Sequence, residues 1–426
     1  MKTVITSALA TVLSMAATSA AADISFSGFG TAGLARSDQP YNYERFLNER
    51  GTFKRDSVLG VQMDAKLSEQ VSFTLQGKVA PSIKNDTRID ATVTWAFLSW
   101  RPSNDLLFRA GRLRIPLYLS TENTDVGATF DYARLPTEIY SNSPTTDFDG
   151  IFLSKTWGLE DGELTLDGYW GSTRTYVRGH IRDNMSPQSS GASFTALKVR
   201  AQSLVLTYQI DDNTFRAGLH DAYAKRVDGQ SFSVTYPLVS MLPGVGYYQV
   251  SNQIPGPGIP TVDEIHTPIF TIGADIAVGH GVRLMGEYLR RNIVNITNGA
   301  DTQGAYLAAR KPIGAWTPYV SVARLLSSSR ARNLYNQLSG NTIPGFLPGA
   351  AQINASQRAG ADSIAIYDQT TLALGTSYRL TPTSKIKAEW ARTKIGDGSA
   401  LVDAPAGGDS RGKVINVLSL SYSFVF

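Results

Sequence analysis

The side chains able to do chemistry in this 426-residue chain are charges at fixed spacings rather than a catalytic set. Lys78, Arg109, Arg216, Arg283, Arg379 and Lys387, with Lys66, Arg291 and Arg310, recur on the polar phase of alternating segments. Asp64, Asp90, Asp167, Asp275, Glu287 and Glu389 share that phase, so this set is modestly basic. A second set lies in one long connection, residues 114–147. It carries Glu122, Asp125, Asp131, Glu138 and Asp147 against Arg134, once Arg114 at its edge is set aside, with Tyr118, Phe130, Tyr132 and Tyr140 among them. Fixed charges of this kind act on passing ions and dipoles through their field, and need neither a nucleophile nor a proton relay.

The enzyme constellations fail one by one. Gly28, Gly30 and Gly33 match G-x-G-x-x-G, but they sit inside an alternating segment and Arg36-Ser37-Asp38-Gln39-Pro40 follows where a helix should start. Without that strand-to-helix context they read as small strand residues. There is no H-E-x-x-H and no G-x-S-x-G. The only histidines are His180, His220, His266 and His280, and His220 shares its phase with Arg216. Zero cysteine removes disulfides, thiolate metal sites and thiol catalysis together. No catalytic residue, metal or cofactor is expected. Forty Lys+Arg against 36 Asp+Glu give +4, too balanced for a nucleic-acid partner.

The elements that must hold these charges are strands. In the last fifteen residues Leu418, Leu420, Tyr422, Phe424 and Phe426 fall on one side of a two-residue period, and Ser419, Ser421 and Ser423 on the other. Such a strand at a soluble protein's end invites aggregation, whereas in a closed barrel its apolar face meets lipid and its edge is paired. Sixteen such segments run along the chain: 24–35, 55–67, 70–80, 89–100, 105–113, 148–158, 162–172, 202–210, 214–224, 267–278, 281–291, 303–311, 316–326, 368–380, 384–394 and 412–426. Each is near the ~9–11 residues a tilted strand needs to cross a bilayer. Short turns alternate with long connections, of which 114–147 is the third and 173–201, 225–266 and 327–367 are the longest after it. That asymmetry belongs to a transmembrane antiparallel up-and-down β-barrel, all-β, with both termini on the short-turn side. Charge facing lipid costs ~2–4 kcal/mol at the midplane, so the polar phase should face a wet lumen. Facing is open for 105–113, 148–158 and 316–326, which leaves Arg112 and Arg324 unassigned. Trp95, Trp157, Trp170, Trp390 and Tyr422 read as interfacial anchors, with Trp95, Trp170 and Trp390 on the apolar phase.

At the other end Met1-Lys2 is weakly basic, Val4 to Ala17 are apolar or small, and Ala20-Ala21-Ala22 offers a cleavage site. Residues 1–22 are expected to be a signal peptide and 23–426 one barrel domain. No later stretch reaches the ~18 apolar residues of a helical span.

The signal, the alternating strands and the closing residues Tyr422, Phe424 and Phe426 together resemble a Gram-negative outer-membrane porin. Aromatic residues at the last, third-last and fifth-last positions are similar to the signal read by the barrel assembly machinery. Arg109, Gly111, Arg112, Arg114 and Pro116 resemble a stretch that precedes the third loop in several porin families. The resemblance covers all of 23–426 and implies a homotrimer of 16-stranded barrels, each with the third loop folded into the lumen. Glu122, Asp125, Asp131 and Glu138 would then form an acidic, aromatic shelf at a constriction, facing a wall made basic by Lys78, Arg109, Arg216, Arg283, Arg379 and Lys387. The implied partners are outer-membrane lipid and lipopolysaccharide, the assembly machinery, and small hydrophilic solutes and ions. The implied function is a water-filled channel for passive diffusion. The alternatives are a substrate-selective porin for phosphate, sulfate or organic anions, and a surface adhesin or anchor barrel displaying 225–266 and 327–367.

Overall fold

The computed structural model describes residues 23–143, 145–183 and 189–426. The signal-peptide reading falls on residues 1–22, outside them. Sixteen strands form one closed ring: β1 Asp23–Ser37, β2 Val58–Lys66, β3 Val71–Pro81, β4 Ile89–Ser103, β5 Leu106–Arg114, β6 Asp147–Gly158, β7 Glu163–Ile181, β8 Gly191–Ile210, β9 Asn213–Arg226, β10 Glu264–Gly279, β11 Val282–Arg291, β12 Thr302–Arg310, β13 Trp316–Ser327, β14 Tyr367–Thr381, β15 Ser384–Ser399 and β16 Val414–Val425. They match the sixteen alternating segments one for one. Each pairs antiparallel with its chain neighbours, and β1 pairs with β16 to close the ring. Closure continues past the last strand: Gly28 N donates to the Phe426 carbonyl at 2.9 Å, and Phe426 N to the Gly28 carbonyl at 3.0 Å.

The two-residue period decides which face each side chain takes. In β16, Leu418 and Leu420 are 62% and 53% exposed on the outer face, while Ser421 and Ser423 are 5% and 0% exposed inside. The rings of Phe424 and Phe426 lie over Gly30 and Gly28 of β1, where an added Cβ would come within 2.6 and 2.2 Å of them. Two glycines of the apparent dinucleotide motif are therefore places where an aromatic ring covers the neighbouring strand. At the short-turn end Asp211 and His280 hold positive φ of 48° and 51°, as tight hairpin connections require.

Two expectations are corrected. Connection 173–201 is mostly strand: β7 and β8 pair from Glu163 with Gln209 up to Ile181 with Gly191, as a hairpin rising beyond its neighbours. Residues 173–181 carry no clean apolar phase, and in β8 the apolar Leu197, Val199 and Ala201 turn inward while Lys198 and Arg200 face out, the reverse of the phase that marks a lipid-facing strand. Trp95 does not face lipid. A bulge at Thr94 inserts one residue against Gln76 and Gly77, so Trp95 stands opposite Gln76 and turns inward. There it packs with Phe97, Leu113, Phe152 and Tyr169. The open facings are also resolved. Arg109 is on the inner face, its guanidinium 5.0 Å from the Phe97 ring centre. Arg112, three residues on, takes the opposite phase and pairs with Asp149 at 3.2 Å. Arg324 alternates with the buried Ala323 and Leu325, and pairs with Asp368 at the long-loop end.

Among the described residues the connections carry three α-helices, α1 Thr137–Tyr140, α2 Ser329–Gly340 and α3 Ala350–Asp362, and a 3-10 turn at Gly127–Thr129. Ser328 caps α2 by accepting from Ala331 N. Tyr335 and Leu338 of α2, Ala361 of α3 and Ala300 share one core. Ile353 of α3 packs with Tyr247 and Ile254 of connection 227–263 in another.

Candidate functional site

The site is built on residues 114–147, the connection between β5 and β6. Arg114 anchors both of its ends, with Asp125 at 2.8 Å and Asp147 at 2.8 Å on one buried guanidinium. Beyond it the sequence is apolar on one side, and that side does not meet water. Leu117, Tyr118, Tyr132 and Ile139 pack against Met285, Leu289, Tyr306, Ala308, Tyr319 and Ala323, which are inner-face residues of β11–β13. The aromatics read as a shelf open to the lumen are mostly turned into this wall.

Polar contacts fix the same docking. Glu287 of β11 accepts from Leu119 N at 2.8 Å and from the hydroxyls of Tyr140 and Tyr306 at 2.7 and 2.8 Å. Arg216 donates to the Tyr118 carbonyl at 2.9 Å, and Arg291 to that of Asn142 at 3.0 Å. Tyr319 accepts from Ala133 N at 2.8 Å and donates to Glu389 at 2.7 Å. Lys387 is 1% exposed. Its Nζ donates to the Gly127 and Tyr132 carbonyls at 2.5 and 3.0 Å and lies 4.1 Å from the Phe130 ring centre. Gly127 is required at its position, because a Cβ there would sit 2.5 Å from Ser423 Oγ and 2.6 Å from Thr31 Oγ1. The connection thus leaves β5, touches the inner faces of β9 and β11–β15, and reaches β16 and β1.

The four acids assigned to this connection do not act alike. Asp125 is held between Lys78 at 2.7 Å and Arg114. Burial pushes its pKa up, but the two cations outweigh that and hold it down at about 2. Asp131 accepts from Lys385 at 2.8 Å and from Ser377 at 2.9 Å. Burial raises its pKa and these partners reverse the effect, leaving it below the usual carboxylate range. Glu138 is 2% exposed, on the side of α1 turned to β14, where Gln369 and Thr371 donate to it. Burial there pushes its carboxyl up, only partly opposed by those two bonds. Glu122 alone is exposed and has no ion-pair partner among the described residues.

The six wall bases are equally divided in fate. Lys78 is paired to the connection, and Arg216 and Lys387 are bonded to its backbone. Arg109 lies over Phe97 and Phe152. Arg283 is at the short-turn end on Asp275, at 3.1 Å. Arg379, also at that end, is exposed without an ion-pair partner among the described residues. The acids and the wall do not simply face one another across open space: Asp125 and Asp131 are paired to Lys78 and Lys385, while Arg216 and Lys387 are bonded to the connection's backbone.

Because the connection is packed against β11–β13, the open space lies on the opposite side. A cavity of about 290 Å³ is lined by Thr31, Arg55, Asp56, Asp125, Arg134 and Lys387. A second, of about 260 Å³, is lined by Lys78, Asp90, Thr92, Arg114 and Asp147. Arg134 meets Asp56 at 2.7 Å and Glu44 at 3.5 Å, and Arg55 meets Glu44 at 3.2 Å. Glu44, Arg55, Asp56 and Lys385 escaped the sequence reading. They lie in a connection or at a strand end, where no periodic signal assigns a face.

No protein-family model and no curated protein sequence matches the chain. Solved structures do match. OmpTdeltaL8, a loop L8 deletion mutant of OmpT, an outer membrane protein of Vibrio cholerae, is 12% identical over 96% of this chain and 100% of that chain, with a TM-score of 0.53. Pseudomonas putida OprB at high pH is 10% identical over 95% of this chain and 94% of that chain, with a TM-score of 0.51. In-vitro folded Vibrio cholerae OmpT in its trimer form is 11% identical over 96% of this chain and 100% of that chain, with a TM-score of 0.50. At such identities the likeness is one of fold: a closed 16-stranded antiparallel β-barrel of the kind these outer-membrane proteins have.

Proposed function

We propose that this chain is a non-enzymatic outer-membrane channel for passive diffusion of small hydrophilic solutes and ions, working as a homotrimer. The observation that carries the reading is the docking of residues 114–147 against β11–β13. A 16-stranded barrel left open is wide enough to leak large solutes. A connection docked on one wall narrows it without changing strand number, and leaves a polar passage beside β1–β3. The passage has both signs within reach: Arg55, Arg134 and Lys78 against Asp56, Asp125 and Asp147. Charges already neutralised by contact exert little field at a distance, so selectivity is weak, with a lean to anions from the basic majority on the wall. The outer-membrane neighbours of the same fold, one of them a trimer, support placement in that membrane and assembly in threes.

The test is single-channel recording of the refolded protein in a planar bilayer under a salt gradient. Stable conductance with a reversal potential close to zero is expected. Shortening residues 118–140 should raise conductance about twofold or more and admit larger sugars. A folded barrel that conducts nothing would point instead to an anchor displaying its long loops. An unchanged conductance in the shortened variant would move the constriction to 225–266 or 327–367.

A further inference from the structure

At the long-loop end, one connection reaches across the barrel instead of standing over its own strands. Asp362 ends α3 shortly before β14 begins at Tyr367, yet its carboxylate meets the Arg182 side chain at 2.5 Å and accepts from Arg182 N at 2.9 Å. Arg182 is the residue that follows β7. One turn earlier on α3, Arg358 meets Asp183 at 2.8 Å. β7 and β14 are seven strands apart in a ring of sixteen, close to diametrically opposite. With strands ~4.8 Å apart and tilted ~40°, those two walls stand roughly 30 Å from each other. Contact between their connections therefore closes over the lumen. The Arg182–Asp362 pair is buried, its side chains 3% and 4% exposed, and the guanidinium lies 5.9 Å from the ring centre of Tyr335 on α2.

Connection 227–263 rises between β9 and β10 and is fused to the same helices. Tyr248 N donates to the Gln357 side chain at 2.8 Å, and Asn341 Nδ2 to the Gly246 carbonyl at 2.9 Å. Gly360 lets Val250 rest on α3, since an added Cβ would come within 2.7 Å of it. With the cores around Tyr335 and Tyr247, these bonds make one body of 227–263 and 328–366. Across its middle this body carries no charge. No charged residue lies between Asp228 and Asp263, or between Arg332 and Arg358. The four charges of 328–366 are all paired at its margins: Arg330 to Asp301 at 3.1 Å, Arg332 to Asp397 at 2.7 Å, and Arg358 and Asp362 to the tip of β7. A wall without free charge acts on a passing solute through its bulk alone.

We propose that 227–263 and 328–366 form a roof across the outer mouth, clamped to the tip of β7 by Arg182–Asp362 and Arg358–Asp183. The roof is a second filter in series with 114–147, and it sorts solutes by size whatever their charge. Charge preference is left to the inner constriction, where the ionic side chains are. Arg182, Asp183, Arg358 and Asp362 are positioning residues, since they hold the roof and touch no solute. This rests on the channel reading proposed above.

The chain has no cysteine, so an engineered disulfide can lock and release the roof in one molecule. The full chain carrying Arg182→Cys, Asp362→Cys and Arg358→Gln loses both ion pairs and holds the roof only while the disulfide is closed. Conductance, reversal potential under a salt gradient, and liposome swelling in mono-, tri- and pentasaccharides are measured in the oxidised and the reduced state. The oxidised variant should match wild type. Reduction should raise conductance about twofold or more, admit the pentasaccharide and leave the reversal potential in place. Reoxidation should restore the original cutoff, a reversal that mere loss of stability would not give. Identical size cutoffs in the two states overturn the roof. So does a pair that never closes in the heat-modifiable folded barrel, because α3 would then not rest on β7. A reversal potential that moves on reduction overturns the charge-blind filter. If neither state conducts, the channel reading fails and the filter with it, whereas a conducting chain indifferent to redox state sinks the roof alone.

Discussion

Asp125 concentrates the electrostatics of the loop in one residue. It neutralises Lys78 and Arg114 at once, although all three could have faced water separately. Asp125→Asn leaves two cations without their shared anion beside the passage. Reversal potentials should move toward anion preference, and stability should fall by about 3 kcal/mol, as when a buried charge loses its partner. An unmoved reversal potential would place Asp125 off the ion path. The pH dependence separates two carboxylates. Asp125 binds its proton less tightly in the folded chain, so its pairing contributes fully above the ordinary 3.8 and is lost as pH falls toward about 2. Glu138 has the opposite sign. Its folded pKa is raised, so the folded state retains the proton longer, and docking weakens as pH rises above the ordinary 4.5. Glu138→Gln should therefore flatten the fall of the thermal midpoint as pH rises above the ordinary 4.5 and raise the midpoint above that range. An unchanged slope would show that other groups titrate there.

At the scale of elements, the long connections are tied to one another by ion pairs as well as by the apolar cores around Tyr335 and Tyr247. Arg178 at the top of β7 meets Asp86 at 2.8 Å and Asp403 at 2.6 Å, and Arg45 also reaches Asp86 at 2.8 Å. Arg182 meets Asp362 at the end of α3 at 2.5 Å. One guanidinium thus joins the connection after β3, the β7–β8 hairpin and the connection after β15. Arg178→Met should leave the barrel intact but free the segment around Asp403. Limited proteolysis should then cut within 400–412 several times faster than in wild type, with no change in the heat-modifiable band. Equal cutting rates would mean that the backbone bonds of this connection, such as Asp403 N to the Asn42 carbonyl at 2.8 Å, hold it without Arg178.

At the scale of the molecule, everything depends on closing the ring. Phe426 contributes two backbone bonds to Gly28 and a ring stacked on Phe424 at 6.2 Å between centres. Deleting it exposes the end of β1 as an unpaired edge, which is the aggregation-prone arrangement a barrel exists to remove. The folded, heat-modifiable fraction in outer membranes should drop severalfold. A full yield of folded barrel would show that closure is complete by Val425.

The sequence alone determined the barrel, because strand count, the short turns and most of the lipid-facing residues follow from a local period of two and from the cost of charge in hydrocarbon. The face of Leu418, Leu420 and Tyr422 needed nothing beyond Ser419, Ser421 and Ser423 beside them. That the charges matter was legible, but where they act was not. Asp125 and Lys78 are 47 residues apart, Glu138 and Thr371 233 apart, and no local pattern encodes which wall a loop will choose. Tertiary packing made that choice: the apolar side of 114–147 docks on β11–β13, and its acids then fall beside particular bases. A single inserted residue at Thr94 likewise turned Trp95 from lipid to lumen, since in a strand any one-residue shift exchanges the two faces.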